Sequence, residues 1–364
     1  MYDLIVIGGG PAGSAAAILA ARSGARVLLL ERGKFPRHKV CGEFVSSESL
    51  GLLAGLLDSE SASLLNDAIR IPNSRVFLDG RVLHANIDPP AASIARLNLD
   101  VALWQVAERA GAETQQQRSV QSIAGDGPFV VKIDSEKAEG RALLNASGRW
   151  SNLTALSRPK GNQQAKSIGL KAHFAELSPQ PSVDLYFFEG GYCGVQPVDL
   201  GANSRGGRVN ACAMVRSDVA TSLAEVLALH PALQKRSAEW VQLSEPVSTA
   251  ALSFHEPEPL YRNVLTVGDA AAFVDPFIGD GISLALRSGV LAAECLQPFF
   301  AAATDLITAA ENYRDRYRRS LQPVYRASSR IRRLLDAPRA VRRPILAFLE
   351  HTPAVTEYLI SKTR

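Results

Sequence analysis

Apolar and polar positions at the start of the chain follow a strand–helix–strand pattern. Leu4–Ile7 is a short apolar, β-branched run, which predicts a buried parallel strand. The alanine-rich segment Ser14–Ser23 predicts a helix, and Gly24 is a typical helix end. Ala25–Leu30 predicts a second strand. This order of elements is typical of a nucleotide-binding α/β unit.

The middle of the chain, from about 161 to 252, lacks this alternation and predicts an antiparallel sheet laid over the first unit. The segment Arg70–Ile87 is expected to join that sheet, and Pro89 and Pro90 to mark the return from it. Its other predicted strands are Ser182–Phe188, Tyr192–Val198, Arg208–Val215 and Val247–Phe254. Elsewhere we predict strands at Ala142–Leu144 and Val264–Val267, and helices at Leu97–Ala110 and Ser283–Cys295.

Together these elements predict an α/β fold with a Rossmann-type dinucleotide-binding domain, an inserted antiparallel β-sheet substrate domain and a C-terminal helical segment. The Rossmann-type domain is expected to be discontinuous, over 1–69, 91–160 and 255–300. The sheet domain is expected at 70–90 and 161–254. The helical segment is expected at 301–364.

A glycine motif follows the first predicted strand. Gly8, Gly10 and Gly13 fit the spacing G-x-G-x-x-G, with Pro11 and Ala12 inside it. The first glycine permits a tight turn, the second lets the backbone approach a pyrophosphate, and the third lets the helix pack on the strand. Glu31 ends the second strand, where a carboxylate can bind the adenosine ribose and disfavours a 2′-phosphate.

Composition is ordinary for a globular protein. The chain has 364 residues, 46% of them hydrophobic and 21% charged, and a net charge of +4. It shows no apolar stretch of membrane-spanning length, and the first strand leaves no room for a signal peptide, so we expect a cytoplasmic protein. Four scattered cysteines show no metal-binding or iron–sulfur spacing, and we expect no metal.

Arginine is concentrated between Arg314 and Arg343 in a helical pattern. Basic amphipathic helices can bind anionic membranes. We favour the alternative of solvated helices that contact carboxylates of the nucleotide-binding domain. No nucleic-acid-binding module accompanies the charge, so nucleic acid is not an expected partner.

A second glycine-rich segment lies near residue 270, and it completes a set of five segments. They are Gly8–Gly13 with Glu31; Phe35–Glu43; Arg96 with Leu99, Asp100 and Leu103; Asn145–Arg149; and Gly268–Asp269 through Gly281–Ile282. With these segments, the chain resembles the FAD-dependent oxidoreductases of the aromatic-hydroxylase fold. It is most similar to their geranylgeranyl-reductase-like branch, which is related to flavin monooxygenases and lies close to the flavin halogenases. The resemblance covers roughly residues 1–300.

The resemblance implies FAD as cofactor and a set of residues that hold it. The loop after the second strand would lie along the flavin, and Cys41 is the candidate for a residue next to the ring, with small-residue packing as its alternative. No catalytic base is evident, because the histidines are scattered. The implied FAD-binding residues are Gly8, Gly10, Pro11, Ala12, Gly13, Glu31, Arg32, Arg37, Lys39, Cys41, Gly42, Arg96, Ala146, Ser147, Gly148, Gly268, Asp269, Pro276, Gly279, Gly281 and Ile282.

Aromatic and small residues on the predicted strands suggest an apolar substrate. Prenyl reductases of the resembled branch carry Tyr-x-Trp-x-Phe-Pro at the segment Gly191–Pro197. This chain matches at Tyr192 and Pro197 but has Gly194 and Gln196 at the tryptophan and phenylalanine positions. Flavin halogenases carry two tryptophans there, so halogenation is disfavoured and long prenyl substrates are put in doubt. The candidate substrate residues are Tyr186, Phe188, Tyr192, Gly194, Gln196 and Pro197.

Three functional hypotheses follow. We expect first a monooxygenase that hydroxylates or epoxidises an apolar aromatic or polyketide-like molecule through a C4a-hydroperoxyflavin. The alternatives are a flavin-dependent reductase of a carbon–carbon double bond, of the prenyl-reductase type, and a non-catalytic flavin electron-transfer protein. Only one dinucleotide motif is present, so reducing equivalents would come from transiently bound NADPH or NADH, or from an electron-donor protein.

Overall fold

The computed structural model describes residues 1–149, 153, 167–200, 207–249, 252, 254, 256–335 and 337–352. This part of the chain forms seventeen strands and ten helices. The strands are β1 Tyr2–Ile7, β2 Val27–Glu31, β3 Phe44–Val45, β4 Ile69–Leu78, β5 Arg81–Ser93, β6 Glu113–Gln116, β7 Val120–Ala124, β8 Phe129–Ile133, β9 Glu136–Asn145, β10 Ser167–Glu176, β11 Ser182–Phe188, β12 Gly191–Pro197, β13 Gly207–Arg216, β14 Val241–Gln242, β15 Val247–Ser248, β16 Leu260–Tyr261 and β17 Val264–Thr266.

The helices contribute about a third of the described chain. They are α1 Pro11–Arg22, α2 Ser47–Leu56, α3 Ser63–Asn66, α4 Arg96–Arg109, α5 Leu223–Ala228, α6 Pro231–Ser237, α7 Gly281–Phe300, α8 Leu306–Ser320, α9 Gln322–Leu335 and α10 Arg339–Glu350. Short 3₁₀ turns occur at Ser59–Ser61, Gly268–Ala270 and Pro276–Ile278.

The first sheet has the strand order β16-β17-β9-β1-β2-β6, with the β7–β8 hairpin attached to β9. Strands β6, β2, β1, β9 and β17 run parallel, and their last residues align, since Ile7 is paired with both Leu30 and Asn145. In such a sheet ligands bind at the carboxyl edge of the strands. The loops that follow β1, β2, β9 and β17 therefore meet at one edge, and all four carry residues predicted to bind FAD.

Two helices cover this sheet next to the glycine motif. Helix α7 packs so closely on α1 that a Cβ on Gly289 would lie 2.1 Å from the carbonyl oxygen of Ala12. Helix α8 adds two fully buried tyrosines, Tyr313 and Tyr317. The hydroxyl of Tyr313 donates to the carbonyl oxygen of Thr266 at 2.7 Å, so the C-terminal helices are anchored to the end of β17.

The second sheet has the order β14-β10-β13-β12-β11-β4-β5-β3, with β15 also paired to β10. One face packs on α5 and α6 through an apolar cluster that includes Leu170, Val195 and Ala211. Lys171, Gln196 and Asn210 alternate with those residues and so occupy the opposite face. That face contacts the loop between β2 and β3, which belongs to the nucleotide-binding side of the molecule.

Four details differ from the expected sheet. The pairing of β11 with β4 is parallel rather than antiparallel. Strand β5 continues through Pro89 and Pro90, because both lie in a bulge between the paired positions Asn86 and Ala91, where a missing amide hydrogen costs no ladder bond. The predicted strand Val247–Phe254 is reduced to β15 and a bridge at Leu252; residues 250, 251 and 253 lie outside the described part. Strand β10 was not among the predicted strands.

Candidate functional site

The first glycine motif forms a turn that side chains could not occupy. Gly8 has φ +111°, and a Cβ there would lie 2.3 Å from the carbonyl oxygen of Ala146. A Cβ on Gly13 would lie 1.9 Å from the carbonyl oxygen of Gly8. Gly10 instead faces open space, and the nearest group to a Cβ placed there would be the guanidinium of Arg96, at 3.9 Å. The turn is thus closed on its protein side and open where a pyrophosphate would approach.

Helix α1 begins at this turn with Gly10 as N-cap and Pro11 in the first turn. Its 12 residues direct a positive helix end toward the open side of the loop. Ala12 is buried against α7 and the Gly268 turn, so the two predicted glycine segments are in direct contact. The sequence alone could not show this contact, since about 250 residues separate the segments.

Glu31 lies at the end of β2 and is 6% exposed. Its carboxylate accepts hydrogen bonds from the backbone amides of Gly9 at 3.0 Å and Gly33 at 2.7 Å, and pairs with Arg37 at 2.8 Å. Burial alone would raise the pKa of Glu31, but the Gly33 amide and the Arg37 charge hold the pKa below its usual value. The carboxylate is therefore ionised and fixed beside the glycine loop. Arg32, the next residue, is exposed.

Three cations surround the open side of the loop: Arg37, Lys39 and Arg96. Arg96 is held by two hydrogen bonds of 2.7 Å to the buried carboxylate of Asp100, one turn further along α4. Burial, together with repulsion from Arg96 and Arg37, lowers the pKa of Lys39 to about 8. Arg37 and Arg96 each keep a carboxylate partner, and Lys39 lies close enough to both arginines to be repelled by them. A diphosphate bound among the three cations would relieve that repulsion.

The loop after β9 passes the same edge. The backbone amide of Ala146 donates to the carbonyl oxygen of Ile7 at 2.8 Å. The side chain of Asn145 accepts from the Ser147 amide at 3.1 Å, and Gly148 has φ +81°. These contacts hold Ala146 against the Gly8 turn, and they leave the Ser147 side chain exposed.

The second glycine segment has a comparable geometry. Gly268 has φ +57°, and its amide donates to the Ser288 hydroxyl at 2.9 Å. Asp269 is half-buried and lies 3.4 Å from Arg149, whose guanidinium also stacks over the ring of Phe273 at 4.2 Å. Pro276 is exposed at the surface of the following turn.

The segment then reaches the start of α7. Gly279 has φ +78°, and a Cβ there would lie 3.0 Å from the ring of Phe44. Gly281 begins the 20-residue helix α7, and Ile282 is buried. Asp280 is 1% exposed and accepts a hydrogen bond from Ser46 at 2.8 Å; burial raises the pKa of Asp280 to about 6. Its second carboxylate oxygen has no hydrogen-bond partner among the described residues.

The loop that carries Cys41 and Gly42 is held by the second sheet. The side-chain amide of Asn210 donates to the carbonyl oxygens of Cys41 at 3.0 Å and Gly42 at 2.8 Å. Cys41 is half-buried, and Gly42 is exposed with open space where a Cβ would lie. The second sheet therefore fixes the position of the loop relative to the glycine motif.

A buried ionic cluster, which we did not predict, lies directly behind this loop. Glu43 is wholly buried and has φ +63°. One carboxylate oxygen contacts the ammonium of Lys171 and accepts from the Arg96 amide at 2.9 Å, while the other lies 2.8 Å from Nε2 of His173. One feature of the sequence could have indicated this cluster. Lys171 and His173 are two residues apart in an apolar strand, so both lie on one face.

A large cavity opens beside the second sheet. Its volume is about 1300 Å³. Phe188 and Tyr192 contribute to its wall together with Phe187 and Phe277. Arginines lie around it, namely Arg81, Arg216, Arg332, Arg339, Arg342 and Arg343. The cavity is thus apolar toward the sheet and basic toward the C-terminal helices.

The six candidate substrate residues do not share one face. Tyr192, Gly194 and Gln196 lie on the face toward the FAD-binding side, as their alternation along β12 requires. Tyr186 lies on the opposite face, stacked on Phe77 with ring centroids 4.4 Å apart. Phe188, two residues after Tyr186, packs against the same apolar cluster, and Pro197 also alternates onto that opposite face. The structure therefore does not bring Tyr186, Phe188 and Pro197 onto one face with the other three.

Arginines of the C-terminal helices pair with carboxylates around the cavity. Arg332 on α9 contacts Asp275, and Arg342 on α10 donates to both carboxylate oxygens of Asp79 at 2.6 and 2.9 Å. Arg316 on α8 pairs with Glu294 at 2.7 Å. Helices α9 and α10 therefore form a wall of the cavity. Within the described ranges, no helix has both the length and the hydrophobicity needed to cross a bilayer.

The residues at the carboxyl edge of the first sheet fit FAD. They provide a glycine turn open on one side, a helix N-terminus, an ionised carboxylate and three cations. The orphan carboxylate oxygen of Asp280 lies at the N-terminus of α7, within the second glycine segment. When bound, FAD would supply hydride transfer, and the protein would supply its position and surroundings.

Comparison with known proteins agrees with this fit. The family described as FAD dependent oxidoreductase matches residues 3–51. The menaquinone reductase of Mycolicibacterium smegmatis is 29% identical over 321 residues, which cover 81% of this chain and 76% of that protein.

Two solved structures have the same fold. A flavin-dependent brominase superposes with a TM-score of 0.79 at 21% identity and covers 100% of this chain and 93% of its own. A geranylgeranyl bacteriochlorophyll reductase-like protein from Thermoplasma acidophilum gives a TM-score of 0.78 at 18% identity, with 100% and 95% coverage. The expected α/β fold and the resemblance to FAD-dependent oxidoreductases of the reductase and halogenase branches are confirmed.

Proposed function

We propose that this chain, an FAD-dependent oxidoreductase, reduces a carbon–carbon double bond in an isoprenoid-type lipid. The observation that carries the proposal is the cavity beside the second sheet. Its volume of about 1300 Å³ exceeds the range of roughly 300–1,000 Å³ that is usual for sites of small, compact ligands. A long hydrocarbon chain makes better use of that volume than a single aromatic ring.

The lining of the cavity supports a substrate with an apolar body. Phe187, Tyr192 and Phe277 form a contiguous aromatic group, with ring centroids between 5.4 and 6.2 Å apart. Phe277 belongs to the Pro276–Ile278 turn, which lies within the second glycine segment and precedes α7. A chain bound along these rings would extend toward the flavin end of the cofactor.

Tyr192 adds one polar anchor to this apolar wall. It is 5% exposed, and its hydroxyl has no hydrogen-bond partner among the described residues. Burial and the nearby carboxylate of Asp275 raise the pKa of Tyr192 well above its usual value, so the hydroxyl stays protonated. It is therefore placed to donate a hydrogen bond to a substrate oxygen, such as the carbonyl of a quinone ring.

The similarity to a menaquinone reductase over most of the chain supports reduction rather than oxygenation. We therefore favour double-bond reduction over the monooxygenation that we expected first from the sequence. The missing tryptophan and phenylalanine at Gly194 and Gln196 still distinguish this chain from the prenyl-reductase pattern. We interpret these two replacements as fitting the site to a substrate of a different shape, with the reaction itself unchanged.

Double-bond reduction does not need oxygen, whereas monooxygenation does, and this difference can be tested experimentally. The FAD-loaded protein would be reduced chemically under anaerobic conditions and mixed with menaquinone or a geranylgeranyl lipid. The flavin absorbance should return to that of the oxidised form. After any quinol has been reoxidised to the quinone in air, mass spectrometry should still show a product that has gained two hydrogen atoms. A product that forms only with oxygen, and gains an oxygen atom, would support monooxygenation. NADH and NADPH would then be compared as the physiological hydride donor.

A further inference from the structure

We propose that Glu43, Lys171 and His173 form an internal acid–base centre that takes up one proton when the cofactor is reduced, and that His38 connects it to solvent. The proposal rests on the function proposed above. Double-bond reduction needs a hydride and a proton for each product molecule. The centre would hold that proton inside the protein until the hydride is transferred.

The burial of the centre distinguishes it from ordinary surface ion pairs. Glu43 and His173 are 0% exposed and Lys171 is 1% exposed. Charged groups are rarely buried this completely unless they are paired, because desolvation is costly. Such buried groups often occur at functional sites. Burial alone would raise the pKa of Glu43, but the hydrogen bond from His173 and the charge of Lys171 keep the pKa below its usual value. The carboxylate is therefore ionised.

The hydrogen bonding of His173 leaves one ring nitrogen available. Nε2 faces Glu43 at 2.8 Å, which assigns a hydrogen to Nε2 because the carboxylate can only accept. Nδ1 lies on the other side of the ring, is buried, and has no hydrogen-bond partner among the described residues. A neutral His173 can therefore accept a proton at Nδ1 without breaking any contact.

A second imidazole provides the route to solvent. The ring of His38 lies 5.4 Å from that of His173, centroid to centroid, and is partly exposed. Burial, followed by repulsion from His173 and Lys171, lowers the pKa of His38, so it is mostly neutral near neutral pH and can both accept and release a proton. The wholly buried His173 has no other histidine within ring contact in the described part of the chain.

The centre lies between the two glycine segments. The Glu43 carboxylate accepts from the backbone amide of Arg96, whose guanidinium is the nearest group to the open side of Gly10. The next residue, Phe44, packs against Gly279 at the other segment. A cofactor bound across both segments would therefore pass close to Glu43, and negative charge added to it on reduction would favour a proton on His173.

The proton balance is complete in this scheme. A hydride donor, such as a nicotinamide, contributes two electrons and one proton to the cofactor, and solvent contributes one proton to Nδ1 of His173 through His38. When the double bond is reduced, the hydride forms one carbon–hydrogen bond and the stored proton is released to complete the second. The charged and titratable groups that face Glu43, Lys171 and His173 from neighbouring elements are His38, Cys41, Cys212 and Arg96.

The test counts protons, and it needs no organic substrate. The FAD-loaded protein would be reduced electrochemically in weakly buffered solution with a pH-indicator dye, so that electrons and protons are counted together. His173→Gln keeps a donor for Glu43 but has no nitrogen that can accept a proton. We expect this variant to take up about one proton fewer per two electrons near neutral pH than the wild type. His84→Gln, at an exposed histidine of β5, is the matched control and should match the wild type.

Two further variants separate the proposed role from a structural one. His38→Gln should leave the total proton count intact at equilibrium and slow the uptake by about tenfold or more, because the route is lost but not the site. Glu43→Gln should lower the count as His173→Gln does, and it serves if His173→Gln does not fold. Equal counts and rates in all variants would overturn the proposal. Failure of double-bond reduction would not change the proton count, so the two proposals fail separately.

Discussion

The carboxylate of Glu31 accepts a hydrogen bond of 3.0 Å from the backbone amide of Gly9. This contact joins the end of β2 to the centre of the glycine turn after β1. Because Glu31 also binds Gly33 and Arg37, one ionised side chain fixes the turn, the following loop and one of the cations around it. The edge proposed to bind FAD is therefore held together by contacts of the protein itself.

In the first glycine turn, we expect one added methyl group to have a large effect on FAD binding. Gly13→Ala would place Cβ 1.9 Å from the carbonyl oxygen of Gly8 and should weaken FAD binding by about 100-fold or more, because the backbone must move. The matched control is Gly51→Ala in α2, where a Cβ meets nothing within 4 Å. Fluorescence titration of the apoprotein with FAD would measure both. Wild-type affinity in Gly13→Ala would show that the turn does not hold the cofactor.

Lys39 predicts a pH dependence of FAD binding. The pKa of Lys39 is about 8 in the unliganded protein, from a usual 10.5, because of burial and the neighbouring Arg96 and Arg37. A bound diphosphate favours the charged form and raises this pKa. Above about pH 8, binding must therefore take up a proton, and the dissociation constant should rise by up to about tenfold per pH unit until the pKa of the complex is reached.

Below about pH 8 the lysine is already charged, and the dissociation constant should be flat. Lys39→Arg keeps a positive charge at all these pH values and should remove the dependence. Isothermal titration calorimetry in two buffers of different ionisation enthalpy would measure the proton uptake directly. An unchanged pH profile in Lys39→Arg would assign the effect to another group.

A buried charge network indicates where a substitution in the second sheet would reduce stability most. Asp184 is 0% exposed and binds both Arg75 and Arg236. Asp184→Asn leaves the two arginines without their shared anion and should lower the free energy of unfolding by about 3 kcal/mol. The exposed pair of Asp218 with Arg216 provides the control, and Asp218→Asn should be close to neutral. Urea denaturation, monitored by circular dichroism, would measure both variants. Equal unfolding midpoints for the two would contradict the expected role of Asp184.

The cavity predicts a variant that affects the substrate and spares the cofactor. Ala232 on α6 lies in the cavity wall, and Ala232→Trp would fill part of the space that a long chain needs. We expect a KM for the lipid about tenfold higher or more, with unchanged FAD affinity. Ala224→Trp, at an exposed position of α5, is the matched control. Equal KM values in both variants would place the lipid elsewhere.

The sequence predicted the parts of this site that depend on local patterns. The first glycine motif, Glu31 and the strand before Gly268 each follow from a few adjacent residues, and each lies at the carboxyl edge of the first sheet. The bounds of β11 were predicted without error, since alternating side chains over Ser182–Phe188 are a local signal.

The features that escaped prediction depend on distant contacts. Glu43 and His173 are 130 residues apart, and neither neighbourhood shows that they meet inside the protein. Strand β10 carries Lys171 and His173 on its inner face, and polar residues at inner positions obscure an otherwise apolar strand. Tyr186 was predicted to face the substrate because it is aromatic, but only the register of β11 reveals which face it occupies.

Anaerobic single turnover would show whether the protein reduces a carbon–carbon double bond. FAD-loaded protein, reduced chemically and mixed with menaquinone without oxygen, should reoxidise its flavin and yield a lipid with one double bond fewer, at a rate that increases with lipid concentration. Flavin that stays reduced with menaquinone and with geranylgeranyl lipids, and that yields an oxygenated product only when oxygen is admitted, would contradict double-bond reduction and restore the monooxygenase hypothesis.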